Sequence, residues 1–199
     1  RIRFENAENQ PTIAEKLNEY GYTPEKLAQG KALKAKAEEA YNLKKKEENE
    51  SIEIFNKFEN KQKEISESYT KDRKITKIAY SKTSEVLKKV GINGAVPKSY
   101  VKWQETVKTF YNIAKENTEI QSKLATLNVN IEHITEMCNS ITELEHLRAD
   151  YLREKGESQD ATNLKDKAFA ELENWMREFK AIAKIALDEH SQLLEALKI

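Results

Sequence analysis

The segment Leu17-Asn18-Glu19-Tyr20-Gly21-Tyr22 has the pattern of a helix that ends in a left-handed turn. Gly21 has no Cβ and can adopt a positive φ, so that the next residue folds back over the last helical turn. The same pattern recurs at residues 87–92, 124–129 and 194–199. Gly91 and Asn128 suit the turn position, whereas Lys198 carries a steric penalty there. We therefore expect helices to end at positions 21, 91 and 128.

The spacing of these helix ends indicates an internal duplication. The interval from Leu17 to Leu124 equals the interval from Leu87 to Leu194, so one shift without gaps superposes both pairs. We define the repeat shift as the displacement along the chain that moves position 17 onto position 124 and position 87 onto position 194. Seven residues between positions 73 and 92 are also identical to the residues that the repeat shift places on them. The alternative is a chance match between two amphipathic helices, because helical composition inflates such similarity.

The composition favours helices throughout. The 199 residues include only 5 Gly and 3 Pro, and 38% of them are hydrophobic, so regular structure can continue over long stretches. Apolar residues recur at spacings of three and four over residues 100–124 and 168–196, which is typical of bundle helices. Asn117 and Gln121 interrupt the first stripe, and Glu189 interrupts the second. We predict an all-α antiparallel bundle of long helices.

The duplication divides the chain into two three-helix units, residues 1–92 and 98–199, joined by a loop at residues 93–97. Alternatively, the two units pack as one continuous bundle. The two tryptophans, Trp103 and Trp175, lie on the apolar stripes, so we expect both in the core.

Residue types at helix ends predict where the individual helices begin and stop. Thr23 followed by Pro24 is a typical helix start. In the first unit a helix break is expected near Asn49, and the alternative is an unbroken helix through residues 44–60. In the second unit, helices are expected over residues 97–127, 130–155 and 158–197, with Gly156 ending the second and Ser158 capping the third.

The net charge of zero conceals opposite charges in the two halves. Residues 1–107 carry 22 Lys or Arg against 17 Asp or Glu, and residues 108–199 carry 12 against 17. Either the basic half meets nucleic acid or an acidic partner, or the two halves complement each other within one molecule. We favour the second interpretation because the lysines of residues 31–46 are interleaved with glutamates.

Glu143 and His146 are the most specific candidates for metal ligands. They lie three residues apart on one helical face, a spacing found in di-iron helical bundles. A complete site of that type needs a second such pair, but the repeat shift places Lys36 and Glu39 at the equivalent positions. The sequence therefore identifies no cofactor.

Cys138 is the only cysteine, which excludes an intrachain disulfide. With His133 and Met137 it could bind a soft metal, but a buried structural thiol is the simpler interpretation. A cysteine inside a helix is normally inert, so catalysis through Cys138 is not expected.

Residues 91–97 form an apolar, glycine-containing loop between the two repeats. One interpretation makes Ile92, Asn93 and Val96 a docking surface for a partner. The other makes the segment a linker in which Ile92 and Val96 cover the end of the bundle.

The glycines form neither a phosphate-binding loop nor a nucleophile elbow. We expect a non-enzymatic helical scaffold or interaction module with an unknown protein partner. The alternatives are a metal or small-ligand carrier that uses Glu143 and His146, and a nucleic-acid binder that uses the basic half. The sequence does not decide whether the chain forms a homo-oligomer.

No apolar run approaches the roughly 18 to 20 residues that span a bilayer. Because the chain begins at Arg1 rather than Met, we expect an upstream segment to have been removed. The compartment, cytoplasmic or exported, is undecided.

Overall fold

The computed structural model describes residues 2–197, and every regular element in that range is a helix. The elements are α1 (Ile2–Asn9), α2 (Pro11–Glu19), α3 (Pro24–Ala79), α4 (Ser84–Lys89), α5 (Tyr100–Glu116), α6 (Thr118–Ala125), α7 (Ile131–Ala186), a 3₁₀ turn (Asp188–His190) and α8 (Ser191–Ala196). The all-α prediction is confirmed. Within the described range, no helix combines the length and the apolar character needed to cross a bilayer.

The three predicted left-handed turns are present. Gly21 follows α2 with a φ of 82°, Gly91 follows α4 with a φ of 73°, and Asn128 follows α6 with a φ of 67°. The fourth instance of the pattern, at Lys198, lies outside the described residues.

A backbone hydrogen bond of the same type closes all three turns. The amides of Tyr22 and Ile92 donate to the carbonyl oxygens of Leu17 and Leu87, each at 2.9 Å, and the amide of Val129 donates to that of Leu124 at 3.1 Å. Tyr22, Ile92 and Val129 are all buried, so the apolar residue after each turn covers the preceding helix.

The helices α3 and α7 contain 56 residues each and are longer than the sequence predicts. The predicted break near Asn49 is wrong, and the unbroken alternative for residues 44–60 is confirmed. The predicted break at Gly156 and the predicted cap at Ser158 are also wrong, because both residues lie inside α7. A glycine costs roughly 1 kcal/mol inside a helix, which the cooperative helix around Gly156 offsets.

Two other predicted long helices are divided. The helix expected over residues 97–127 is interrupted at Asn117, whose φ of −101° and ψ of 107° are extended. The Asn117 side chain accepts a hydrogen bond from the amide of Ile120 at 3.0 Å, so it caps α6. The helix expected over residues 158–197 ends before the 3₁₀ turn that contains Glu189. Asn117 and Glu189 therefore lie between helices, whereas Gln121, the third polar interruption, lies inside α6.

The chain divides into two compact units. Unit 1 contains the residues up to Glu50 and those from Lys155 onward, and unit 2 contains Ser51–Glu154. Each unit combines the N-terminal part of one predicted repeat with the C-terminal part of the other. This grouping differs from the predicted division into residues 1–92 and 98–199, because sequence similarity does not report which segments pack together.

Each unit has its own apolar core. Trp103 in unit 2 is 6% exposed and Trp175 in unit 1 is 9% exposed, so the predicted core placement of both is confirmed. Trp175 packs against the backbone of Gly30, where an added Cβ would lie 2.5 Å from Cζ2 of the indole. The largest fully buried side chains are Ile13, Leu17, Tyr22 and Phe179 in unit 1 and Ile65, Tyr69, Ile92, Phe110, Tyr111, Leu124, Ile134 and Leu144 in unit 2.

Ion pairs within each unit join the basic first half of the sequence to the acidic second half. In unit 1, Nζ of Lys26 lies 2.7 Å from Oε1 of Glu178. In unit 2, Nζ of Lys61 lies 3.0 Å from Oε2 of Glu143. Exposed pairs of this kind contribute at most about 1 kcal/mol each, and they agree with the interpretation that the halves complement each other.

Candidate functional site

Asp72 places a carboxylate in the core of unit 2. The residue lies on α3 and is only 3% exposed. Burial of a carboxylate is costly unless hydrogen bonds or an opposite charge compensate for the lost water. The main-chain carbonyl of Asp72 accepts a hydrogen bond from Oγ1 of Thr76 at 2.8 Å, and its side chain is held by residues of α5 and α7.

Tyr111 supplies the first partner of this carboxylate, from α5. Its hydroxyl donates a hydrogen bond to Oδ2 of Asp72 at 2.7 Å, and its side chain is fully buried. Burial, and then the negative charge of Asp72, raise the pKa of Tyr111 far above its ordinary value near 10. The hydroxyl therefore stays protonated and remains a donor at neutral pH.

His133 supplies the second partner, from the first turn of α7. Its Nε2 atom lies 2.7 Å from the same Oδ2 atom, and an ionised Asp72 requires this nitrogen to carry a proton and donate it. The amide of His133 donates to Oδ1 of Asn130 at 2.9 Å, so Asn130 caps the turn that carries the imidazole. The His133 side chain is 32% exposed, so part of its ring reaches solvent.

This polar network of Asp72, Tyr111 and His133 joins three helices inside an apolar core. A carboxylate that orients a histidine is also how many hydrolases hold a general base, which then activates a nucleophile. Cys138, further along α7, is half-buried, and its Sγ lies 3.7 Å from Oδ1 of Asn112. Burial raises the pKa of Cys138, which disfavours the thiolate that would attack a substrate. The hydrogen bonds of the network connect α3, α5 and α7.

The network cannot be recognised from the sequence, because no local spacing connects Asp72 with His133, which are 61 positions apart. From the sequence, His133 is a candidate only for a soft-metal site with Met137 and Cys138, whereas in the structure its Nε2 atom contacts Asp72. One usable signal is the position of Asp72 itself. It lies on the apolar stripe of α3 between Tyr69 and Thr76, where a carboxylate without a partner is not expected.

Glu143 and His146, the predicted metal ligands, are exposed on α7 in unit 2. Glu143 is paired with Lys61, whose Nζ lies 3.0 Å from its Oε2. In the part of the chain that the structure describes, neither residue belongs to a group of three His, Cys, Asp or Glu side chains with ligand atoms within 4.8 Å of one another. Lys61 also pairs with Glu64, whose Oε2 lies 3.3 Å from the lysine Nζ, so a cation separates the carboxylates of Glu64 and Glu143.

The predicted interaction loop is divided between the core and the surface. Ile92 is 1% exposed and belongs to the core of unit 2, whereas Asn93 and Val96 are exposed. The Arg73 guanidinium donates to the carbonyl oxygen of Ile92 at 3.5 Å and to that of Gly94. These bonds fasten the loop to α3, so Asn93 and Val96 are the members that a partner could reach.

Tyr20 and Ile185 are exposed apolar side chains on one concave surface of unit 1. They are 48% and 57% exposed, and they lie just after α2 and near the end of α7. The concavity has a volume of about 390 Å³, and its rim includes Lys16, Glu19, Asp188, Glu189 and His190. We refer to Tyr20, Ile185 and this rim as the unit 1 face.

Leu127 and Ile78 are exposed apolar residues at the corresponding sequence positions in unit 2. The repeat shift places Leu127, which is 39% exposed, on Tyr20, and it places Ile78, which is 73% exposed, on Ile185. We refer to these two residues, together with those that correspond to the unit 1 rim, as the unit 2 face, a set that the repeat shift alone defines. The corresponding residues are Ser81, Lys82, Thr83, Lys123 and Thr126.

In comparisons with known proteins, no family model, no curated protein and no solved structure matches this chain. The candidate sites therefore rest on the geometry of the chain itself.

Proposed function

We propose that this protein is a non-enzymatic helical scaffold that binds another protein through the unit 1 and unit 2 faces. The recurrence of their apolar residues carries the proposal. Of the large apolar side chains that are exposed in the described range, Tyr20 with Leu127 and Ile78 with Ile185 are the pairs that the repeat shift superposes. Single exposed apolar residues need no explanation, but we interpret their recurrence at equivalent positions as the sign of a binding surface.

A duplicated architecture supports this correspondence. The helices α3 and α7 have equal lengths, and the repeat shift superposes their first residues, Pro24 and Ile131. The short helices α4 and α8 begin and end at the same spacing. The left-handed turns at Gly21 and Asn128 follow it as well. We infer that the two halves of the sequence are copies of one helical unit.

The order of the contacts supports antiparallel packing of α3 and α7 within each unit. As the contacts move forward along α3, they move backward along α7. The pairs are Lys26 with Glu178 and Lys36 with Glu171 in unit 1, and Lys61 with Glu143 and Asp72 with His133 in unit 2. We therefore propose an antiparallel bundle as the arrangement inside each unit.

The buried polar network supports a structural role rather than a catalytic one. Asp72 is engaged by two donors inside the core, and the neighbouring thiol of Cys138 favours its protonated form. The network holds three helices of unit 2 in fixed positions. A platform that is rigid before binding loses less conformational freedom when a partner docks, which favours affinity.

Differential capture from the source cells tests the proposed function. The substitutions Tyr20→Ser and Ile185→Ser together remove the apolar part of the unit 1 face, and Ile78→Ser with Leu127→Ser does the same for unit 2. Leu164→Ser is the matched control, since Leu164 is 54% exposed in unit 1 but Lys57 occupies its equivalent position.

We expect wild type and the control to retain the same partner proteins, and the two face variants to lose at least one of them. Circular dichroism checks that each variant keeps its helices. Equal retention by all four proteins would contradict the proposal.

A further inference from the structure

The unit 1 face is acidic. Glu19, Asp188 and Glu189 supply three carboxylates to its rim. Lys16 is the one lysine of that rim, and its Nζ lies 3.2 Å from Oε1 of Glu19. The hydrogen bond to Glu19, the negative charge of Glu19 and, more weakly, that of Glu189 raise the pKa of Lys16. The three carboxylates outnumber the one lysine, so the rim is predominantly acidic.

The unit 2 face is basic at the same positions. Lys82 corresponds to Glu189, and Ser81 and Thr126 stand in place of the other two carboxylates. Lys123 corresponds to Lys16, and both Lys82 and Lys123 are exposed. The two faces therefore share their apolar residues but differ in the sign of their charge.

We propose that the occupant of each face is a second copy of this chain, with the unit 1 face of one molecule on the unit 2 face of another. The inference rests on the proposed function, because it uses the same two faces. Two identical faces would bring like charges together, which is unfavourable, whereas unlike faces bring carboxylates to lysines around matched apolar residues. Such a head-to-tail contact either closes into a ring or continues as a chain of molecules.

Association through these faces is weak and depends on salt. Each face offers two exposed large apolar side chains, so the apolar contact is small compared with that of a permanent dimer. The charges lie on exposed rims, where salt screens them over about 8 to 10 Å at ordinary ionic strength. Sedimentation velocity over a concentration series at low ionic strength therefore offers the most sensitive measurement.

Charge inversion tests each side of the contact separately. A basic variant carries Glu19→Lys and Glu189→Lys, and an acidic variant carries Lys82→Glu and Lys123→Glu. Neither variant is expected to associate alone, because both of its faces then have the same sign. An equimolar mixture is expected to associate again, since the acidic variant keeps the native unit 1 face and the basic variant keeps the native unit 2 face.

Two controls invert as many charges at exposed positions outside the faces. One carries Asp160→Lys with Glu173→Lys in unit 1, and the other carries Lys63→Glu with Lys71→Glu in unit 2. Both controls are expected to associate as wild type does, which separates an effect of the faces from an effect of net charge.

For wild type, for both controls and for the mixture, we expect a sedimenting mass that rises with concentration. For the basic variant or the acidic variant alone, the mass should remain that of a single chain. Any of three results would overturn the proposal. These are a wild type that remains monomeric at every concentration, a basic or acidic variant that associates alone as wild type does, and a mixture that stays monomeric. If wild type is monomeric, this inference fails but the proposed function does not, because the capture experiment tests binding to a different protein. The two failures are therefore distinguishable.

Discussion

The Nε2 atom of His133 lies 2.7 Å from Oδ2 of Asp72, although the two residues are 61 positions apart in the chain. Tyr111 donates to the same oxygen atom, so one carboxylate connects α3, α5 and α7. Because this carboxylate is buried, loss of either donor leaves it with one partner instead of two, and loss of Asp72 leaves the hydroxyl of Tyr111 unpaired in apolar surroundings. The network therefore makes the stability of unit 2 sensitive to single atoms.

Tyr111→Phe removes one hydroxyl from the network and keeps the ring in place. We expect it to lower the free energy of unfolding by about 1 to 3 kcal/mol, because Asp72 loses a buried donor. Tyr80→Phe is the matched control, since the buried hydroxyl of Tyr80, also in unit 2, has no hydrogen-bond partner among the described residues. Urea denaturation followed by circular dichroism measures both. Equal losses in the two variants would refute the role of the hydrogen bond.

The raised pKa of Tyr111 predicts a loss of stability in alkali. A tyrosine whose pKa is higher in the folded protein than in the unfolded chain holds its proton longer when folded. Its contribution to stability is complete below the unfolded value near 10 and is lost as the pH rises above that value toward the folded one. We expect the free energy of unfolding to fall above a pH of about 10, and to fall less steeply in Tyr111→Phe.

The burial of Tyr22 raises its pKa to about 12, so Tyr22 contributes to the same alkaline loss and a part of the slope remains in the Tyr111→Phe variant. Urea denaturation at a series of pH values measures the slopes. Identical slopes for wild type and Tyr111→Phe would show that Tyr111 is not held in its protonated form by the fold.

Two glycines of unit 1 respond to alanine in opposite directions. At Gly30 an added Cβ would lie 2.5 Å from Cζ2 of Trp175 and 2.7 Å from Cε1 of Phe4, so we expect a loss of about 1 to 3 kcal/mol from overpacking. At Gly156 no atom lies within 4 Å of the added Cβ, and alanine should stabilise α7 by about 0.5 to 1 kcal/mol. Urea denaturation followed by circular dichroism measures both changes, and shifts of the same sign would speak against the packing described for Gly30.

The left-handed turn after α2 depends on Gly21. Nothing lies within 4 Å of a Cβ added there, so Gly21→Ala tests backbone strain alone at a φ of 82°. We expect a loss of about 1 to 2 kcal/mol. Gly94→Ala is the control, because Gly94 also has open space but no left-handed φ, and its effect should stay within about 0.5 kcal/mol. Thermal denaturation compares the two, and a Gly21→Ala variant as stable as wild type would contradict the turn.

The features that the sequence predicts correctly depend on local chemistry. The left-handed turns at Gly21, Gly91 and Asn128 need only the turn residue and the apolar residues on either side of it. The start of α3 needs only Thr23 and Pro24, and Oγ1 of Thr23 accepts a hydrogen bond from the next turn at 3.4 Å. Such signals are local in the chain and can be seen without a structure.

The features that the sequence predicts wrongly depend on more distant packing. Gly156 has the chemistry of a helix stop, but no apolar residue follows it to cover the preceding turn, and α7 continues. Asn117 looks like the interior of a helix because the apolar stripe continues on both sides of it, and yet it caps α6. Asp72 and His133 meet only once α3 and α7 pack. The metal hypothesis for Glu143 and His146 stays a prediction.

Photo-crosslinking in the source cells tests most directly whether the recurring exposed residues are binding surfaces. A photoactivatable amino acid is placed at position 185 or 78, or at the control position 164, which is also apolar and exposed. We predict crosslinked adducts the size of a second protein chain from positions 185 and 78, and a much lower yield from position 164. Equal yields from all three positions, or no adduct from positions 185 and 78, would contradict the assignment of these faces.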